Sequence, residues 1–385
     1  MRANLTRRAF LDTLVAGTAG LTMLPRLARA SSKDPFSILL LGDLHFDKLD
    51  RHNLDFLQKN KPDDLRQVRE YSALTRDVLP RLFVSTRAAI QELYPSPDTR
   101  VAFALHVGDL VEGLCGTEEQ TRQLDADALD FVRGAKLGVP FLFTKGNHDI
   151  TGPGAADAFK SVFHPFLGEQ AATLGGDSKM GAARYLIEQG DALFCFFDAY
   201  DRESLAWLEA SLARRTARHC FVVIHPPVVP YGARSTWHVF SNERDKAQRE
   251  RLLELLGKHR AFVLSGHIHK YNLLVRATPR GGKFLQLGLS SVIYQPEGPP
   301  QHVLSGVKEY NGDQVSVEPN FSPGTEKQRR AVYQTEAPFV RQFQYADLPG
   351  YAVLHVEGAR VKVRIYSGVG RAVWRSLELS ELLES

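Results

Sequence analysis

Five short blocks of this chain carry side chains able to hold metal ions, and each block closes an apolar run. "LLLGDLHFD" supplies Asp43 and His45, "HVGDLVE" supplies Asp109, and "FTKGNHDI" supplies Asn147, His148 and Asp149. "FVVIHPP" supplies His225, and "LSGHIHK" supplies His267 and His269. Imidazole nitrogens mixed with carboxylate and amide oxygens suit first-row divalent or trivalent ions, and do not suit calcium or an iron–sulfur cluster. No block is decisive alone. A single histidine at a strand end is more often a hydrogen-bonded structural residue, and Gly-Asn is ordinary turn sequence. All five together, each at the end of an apolar run, point to one shared centre.

Such a centre needs elements that deliver every block to the same place. The apolar runs 36–43, 101–109, 139–147, 192–198, 219–225, 261–267 and 284–290 are short and rich in Val, Ile and Phe, as buried strands are. Segments of helical period lie between them, at about 64–93, 118–135, 203–214 and 243–258. Strands alternating with helices predict α/β layers, and in such layers ligands gather at the carboxyl ends of strands. Glycine stands before Asp43, Asp109, Asn147 and His267, where the backbone must bend close to a common point. The segment 294–349 is rich in Pro, Gly and charge and reads as a long loop, either a lid over the site or a solvated excursion. Residues 350–368 alternate apolar and polar around Glu357-Gly358, the pattern of a β-hairpin.

The order D-x-H, G-D, G-N-H-D, H, G-H-x-H resembles the calcineurin-like metallophosphoesterase family, from Asp43 through His269. The resemblance implies a four-layer α/β/β/α sandwich, two mixed β-sheets flanked by helices. It also implies two metal sites: Asp43, His45 and His269 at one ion, Asn147, His225 and His267 at the other, and Asp109 bridging them. Mn, Fe and Zn, divalent or mixed-valence, all fit that donor set. Two such ions generate a bridging hydroxide for attack on a phosphate ester. His148 would then assist the leaving group, while Asp149 either orients the His148 ring or caps the segment that follows. The motif "GDLVEGL" lacks the tyrosine that purple acid phosphatases carry near the aspartate, and "GDLVE" and "KGNHD" lack the arginines of Ser/Thr protein phosphatases. The blocks are more similar to the bacterial phosphodiesterase-like branch, although many of its members show two adjacent histidines where only His225 stands here.

Among the remaining histidines, His106 reads as a core or supporting residue, and His238 beside Trp237 is a candidate substrate contact. Cys115, Cys195 and Cys220 are too few and too scattered for a disulfide framework, and the last two read as inert core thiols. Near the motifs only Lys145, Arg234 and Lys270 offer positive charge, which leans towards a diester over a monoester, whose second charge calls for more cations.

The first thirty residues carry Arg7-Arg8 ahead of a modest apolar run and an Ala28-Arg29-Ala30 cleavage pattern, as a twin-arginine signal peptide does. Residues 1–30 are therefore expected to be removed on export to the periplasm or beyond, leaving residues 31–385 as one phosphoesterase domain. The formal net charge is +4, but those thirty residues hold five arginines and one aspartate, so the remainder is neutral. A general nucleic-acid-binding surface and a lasting membrane span are thereby excluded as expectations. The expected partners are a small phosphate-ester substrate and the twin-arginine export machinery. The sequence is silent on oligomeric state. Phosphomonoesterase or nucleotidase activity and a non-catalytic metal-binding role are the alternatives to the diesterase.

Overall fold

A computed structural model describes residues 34–94, 96–232, 236–291, 299–311 and 326–385. The expected signal peptide, Arg234 and parts of the 294–349 segment lie outside the described residues.

Fourteen strands among the described residues build two mixed sheets. The first sheet contains β1 (Phe36–Leu41), β2 (Val101–His106), β3 (Phe141–Phe143), β12 (Gly350–Glu357), β13 (Arg360–Ser367) and β14 (Val373–Glu378), in the spatial order β14-β13-β12-β1-β2-β3. The second contains β4 (Tyr185–Gln189), β5 (Ala192–Phe196), β6 (His219–Val223), β7 (Phe262–Ser265), β8 (Tyr271–Ala277), β9 (Lys283–Gly288), β10 (Val303–Ser305) and β11 (Val340–Ala346), in the order β10-β11-β8-β9-β7-β6-β5-β4. The helices are α1 (Leu54–Asn60), α2 (Pro62–Asp77), α3 (Leu79–Leu93), α4 (Glu118–Gly134), α5 (Ala155–Ala158), α6 (His164–Thr173), α7 (Ser204–Ala213), α8 (Lys246–Lys258), α9 (Glu326–Glu336) and α10 (Leu379–Glu384).

The layers follow from strand periodicity. On β5 and β6, Phe194, Phe196, Phe221 and Val223 enter the core shared with the first sheet. Their neighbours Leu193, Cys195, Cys220 and Val222 enter a second core with Leu205 and Leu208 of α7 and Leu252 and Leu256 of α8. Successive side chains on a strand face opposite ways, so a strand that is apolar throughout must be covered on both faces. Phe103 of β2 meets Phe194 of β5 edge-on with ring centroids 5.2 Å apart, which locks one sheet to the other. Leu79, Leu82 and Phe83 of α3 and Leu124 and Leu129 of α4 cover the outer face of the first sheet. Cys195 and Cys220 are buried free thiols in the outer core.

Several elements depart from the sequence reading. The single helix expected at 64–93 is two, because Pro80 has no N–H to offer the preceding turn and the axis breaks at Val78. The motif-bearing runs leave their strands earlier than expected: β1 stops at Leu41, β2 at His106 and β3 at Phe143. The segment 294–349 is no continuous loop. Within it β10 and β11 extend the second sheet, where β11 pairs antiparallel with β8, and Tyr333 of α9 is buried. β8 has no counterpart among the expected strands, yet it is buried along nearly its whole length. β12 and β13 form an antiparallel hairpin around Gly358, and β12 continues antiparallel onto β1.

Candidate metal centre

Parallel pairing sets the geometry. β1, β2 and β3 run parallel side by side in one sheet, and β6 and β7 run parallel in the other. Their carboxyl ends therefore open at the same edge of the sandwich, and all five blocks arrive there. At that edge the chain turns sharply. Asp43, His45, Asp109, His267 and His269 all adopt left-handed backbone, with φ of 48°, 46°, 56°, 72° and 58°. Few residues other than glycine accept this conformation, and Asp and His are among those enriched in it.

Three donor groups result, one of them His45, Glu112 and His148, and the other two share Asp109. Of those two, Asp43, His45, Asp109 and His269 form one, with His45 Nε2 2.9 Å from His269 Nε2 and 3.8 Å from Asp109 Oδ2. Asp43 Oδ1 lies 3.6 Å from His269 Nε2. Asp109, His225 and His267 form the other, with His225 Nε2 2.9 Å from Asp109 Oδ2 and 3.2 Å from His267 Nδ1. Asn147 joins this second group, its Oδ1 3.2 Å from His225 Nε2. Asp109 belongs to both. Donor atoms separated like this fit ions held about 2 Å from each ligand.

Backbone contacts tie the blocks together. The His267 N–H donates to Asp43 Oδ1 at 2.7 Å, joining the two sheets across the centre. The His148 N–H donates to Asp109 Oδ1 at 2.8 Å. A Cβ on Gly146 would lie 2.1 Å from Asp109 Oδ1, and one on Gly266 would lie 2.5 Å from Asp43 Oδ2. Only glycine lets the backbone come this close to the carboxylates.

Asp149 does something the sequence did not suggest. It neither orients the His148 ring nor caps the following segment. Its carboxylate accepts the N–H groups of Asp109, Leu110, Val111 and Gly146 at 2.7–3.1 Å, and so clamps the β2 loop to the β3 loop. Burial, reinforced by Asp109, lifts its carboxyl to about 6. Its reach explains the correction: four turned-in amides lie closer to the carboxylate than the adjacent imidazole. The His148 ring donates its Nδ1–H to the Glu112 carbonyl oxygen at 2.7 Å. Burial opposes a charge on that ring, but Glu112 and Asp109 outweigh it and raise its affinity for a proton.

Glu112 and Tyr71 were missed in the sequence. The buried Glu112 carboxylate accepts from His45 Nδ1 at 2.7 Å and lies 3.6 Å from His148 Nδ1. Burial above all pushes its carboxyl up to about 8. An acidic side chain three residues after Asp109, within an apolar stretch, was the available signal. Tyr71 on α2 stacks on the His45 ring with centroids 4.3 Å apart. Nothing in the sequence around Tyr71 marks it.

The other residues fall into place around the centre. His106 is wholly buried, and burial lowers its ring to about 3, so it is a neutral core residue. His238 Nδ1 lies 3.2 Å from His267 Nε2, on the side of that ring away from His225. Lys145 is paired with Asp198 at 2.6 Å. Cys115 is buried, which pushes its thiol up to about 12.

A two-sheet sandwich with paired N/O donor groups at one edge offers a place where two adjacent metal ions could be held. The family model for calcineurin-like phosphoesterases matches residues 36–271, more than half of the chain, and the protein belongs to that family. Among solved structures, the chain is similar to the purple acid phosphatase PPD1 from yellow lupin (Lupinus luteus) seeds, with 13% identity and a TM-score of 0.51 over 91% of this chain and 54% of that one. The chain thus spans about half the length of the lupin enzyme. It is also similar to PhoD, with 12% identity and a TM-score of 0.49 over 91% of this chain and 70% of that one. A dimetal phosphatase from Danio rerio aligns with 14% identity and a TM-score of 0.48 over 90% of this chain and 99% of that one. The likeness to the lupin enzyme concerns the fold. No curated protein matches the chain.

Proposed function

We propose that the protein is an exported dinuclear-metal phosphohydrolase that cleaves phosphodiester bonds of small molecules. The observation that carries this reading is Asp109, whose Oδ2 faces His45 Nε2 at 3.8 Å on one side and His225 Nε2 at 2.9 Å on the other. Two donor groups sharing one carboxylate fit a pair of adjacent ions. Asp43, His45 and His269 would hold the first ion, and Asn147, His225 and His267 the second. Bound there, Mn, Fe or Zn ions supply Lewis-acid polarisation of the phosphoryl oxygens and an activated water.

The chain's own residues provide the rest. The His148 Nδ1–H is committed to the Glu112 carbonyl, which leaves Nε2 as the ring atom that can hold a proton for the departing alkoxide. The raised proton affinity of the ring suits that task. Asp149 acts one step further out, by fixing the loop that presents Asn147 and His148 against the loop that presents Asp109.

Two features favour a diester. Lys145, a cation of the kind a second phosphate charge calls for, is already neutralised by Asp198. The "HPP" block resembles the bacterial phosphodiesterase-like branch, and "GDLVEGL" lacks the tyrosine of purple acid phosphatases. Export rests on the twin-arginine pattern of residues 1–30 and predicts recovery of the protein from the periplasm or medium.

The test pairs metal content with turnover of residues 31–385. Bound metals are quantified, and hydrolysis of bis(p-nitrophenyl) phosphate is compared with that of p-nitrophenyl phosphate. About two ions per chain, preference for the diester, and loss of about 100-fold or more in rate in His148→Ala with unchanged metal content are the expected results. Preference for the monoester would make the protein a phosphatase. Two ions with no turnover of either ester would make it a metal-binding protein.

A further inference from the structure

Tyr71 lies outside every motif, 26 residues beyond His45 and nearly 200 before His269, yet it touches both. Its ring lies over the His45 imidazole with centroids 4.3 Å apart and planes 22° from parallel. Its hydroxyl lies 3.5 Å from His269 Nδ1. The two histidines present Nε2 to each other at 2.9 Å. Each therefore turns its Nδ1 outward, His45 to the Glu112 carboxylate and His269 to the Tyr71 hydroxyl. Imidazoles that bind metal through one nitrogen are commonly held by a partner for the other N–H, which fixes both tautomer and ring orientation. Among these four residues, Glu112 and Tyr71 stand in that relation to the two rings.

Tyr71 is itself held in place. Asp47, two residues past His45, gathers three contacts, two of which pin α2 to the β1 loop while the third holds His52. Its N–H donates to Thr75 Oγ1 at 2.9 Å, and its carboxylate accepts the Ser72 hydroxyl at 2.6 Å and His52 Nε2–H at 2.6 Å. Ser72 and Thr75 lie on the buried face of α2 with Leu65 and Val68. Tyr71 is beside Ser72 and one turn before Thr75, so the pins that seat the helix also set the ring over His45.

We infer that Tyr71 is a positioning residue for one of the two metal sites, the one formed by Asp43, His45 and His269. Stacking fixes the plane of the His45 ring, and the hydroxyl accepts the Nδ1–H of His269 while its Nε2 faces the ion. The second site, at Asn147, His225 and His267, receives no such support from Tyr71. This assignment rests on the two-site reading above.

Single-site backgrounds separate the possibilities. Asn147→Ala is used to retain the first site and His269→Ala to retain the second, and each is titrated with Zn²⁺ alone against a chromophoric competitor. In the Asn147→Ala protein, adding Tyr71→Ala is expected to weaken Zn²⁺ binding by about 10- to 100-fold. Tyr71→Phe, which keeps the stacked ring and removes only the hydroxyl, is expected to lie between the parent and Tyr71→Ala. In the His269→Ala protein neither change alters the affinity. Equal weakening in both backgrounds, or no weakening in either, would overturn the assignment while leaving the two-site reading intact. Failure of both backgrounds to bind one ion per chain would overturn the two-site reading and the assignment with it. Circular dichroism of each metal-free variant checks that α2 remains folded, and Tyr71→Phe decides the matter if Tyr71→Ala does not fold.

Discussion

At the scale of the residue, the centre is costly to build. Left-handed backbone at Asp43, His45, Asp109, His267 and His269 costs on the order of 1–3 kcal/mol at each position, so the surrounding structure must impose it. The glycines are the other half of that arrangement. Gly266→Ala would drive a methyl group into the Asp43 carboxylate, so it is expected to lower bound metal and activity together by at least about 10-fold. Gly134→Ala, whose added methyl meets nothing within 4 Å, is the control and should leave both unchanged. Metal analysis of the two purified variants checks this. Ligand-type residues were legible because imidazoles and carboxylates are conspicuous at the ends of apolar runs. Glu112 was less so, since one acidic residue after Val111 looks like a solvated loop position. Asp149 was misread because adjacency in sequence suggested His148 as its partner, whereas four backbone N–H groups from two loops take that place.

At the scale of the element, the short helices between β1 and β2 do more than connect. His52, wholly enclosed and bonded to Asp47, holds the start of that excursion to its seat. Burial disfavours a charged His52 ring, but the Asp47 carboxylate overrides it, so the ring holds its proton more tightly than an unfolded histidine does. The sign follows from linkage: the stabilisation is complete below about pH 6.5, the unfolded value, and is lost as pH rises through the folded value. His52→Gln is therefore expected to lower the melting temperature most near pH 6 and least in alkaline solution. A gap that widens with pH would contradict it. Patterns of period and composition located most strands and helices, since the central strands are uniformly apolar and the helices strongly periodic. They failed where a local signal was diluted. β8 follows directly on the histidine block, and it carries Asn272, whose side chain donates to the Gln344 carbonyl and accepts from Gln286, so its polarity disguises a buried strand. β10 and β11 lie in Pro- and Gly-rich surroundings: β10 pairs with β11, and the pairing of β11 with β8 depends on residues roughly 70 positions away.

At the scale of the whole molecule, α/β layering was legible in the alternation of elements, whereas the order of strands was not. β12 lies beside β1 across more than 300 residues of sequence, and no local pattern encodes such a pairing. The packed interior also holds one unexplained charge carrier. Asp125 on α4 is buried, and neither carboxylate oxygen has a hydrogen-bond partner among the described residues. Burial, with a contribution from Asp149, keeps its carboxyl well above the usual range. Such a group is neutral in the folded chain and ionised in the unfolded chain at intermediate pH. Stability is therefore lost as pH rises from about 4 to the folded value, by about 1.4 kcal/mol per pH unit. Asp125→Asn removes that loss, so its stability relative to the parent should climb as pH rises above about 4 in denaturant titrations, and a constant difference would refute the account. The bond from His267 in one sheet to Asp43 in the other has a consequence of a different kind. Each ion's ligands come from strands of both sheets, and Asp43 and His269 are brought together only after the intervening chain has been laid down. A partly folded chain has no complete set of donors to offer. Metal capture is then a certificate of finished folding, issued only when the two halves have met.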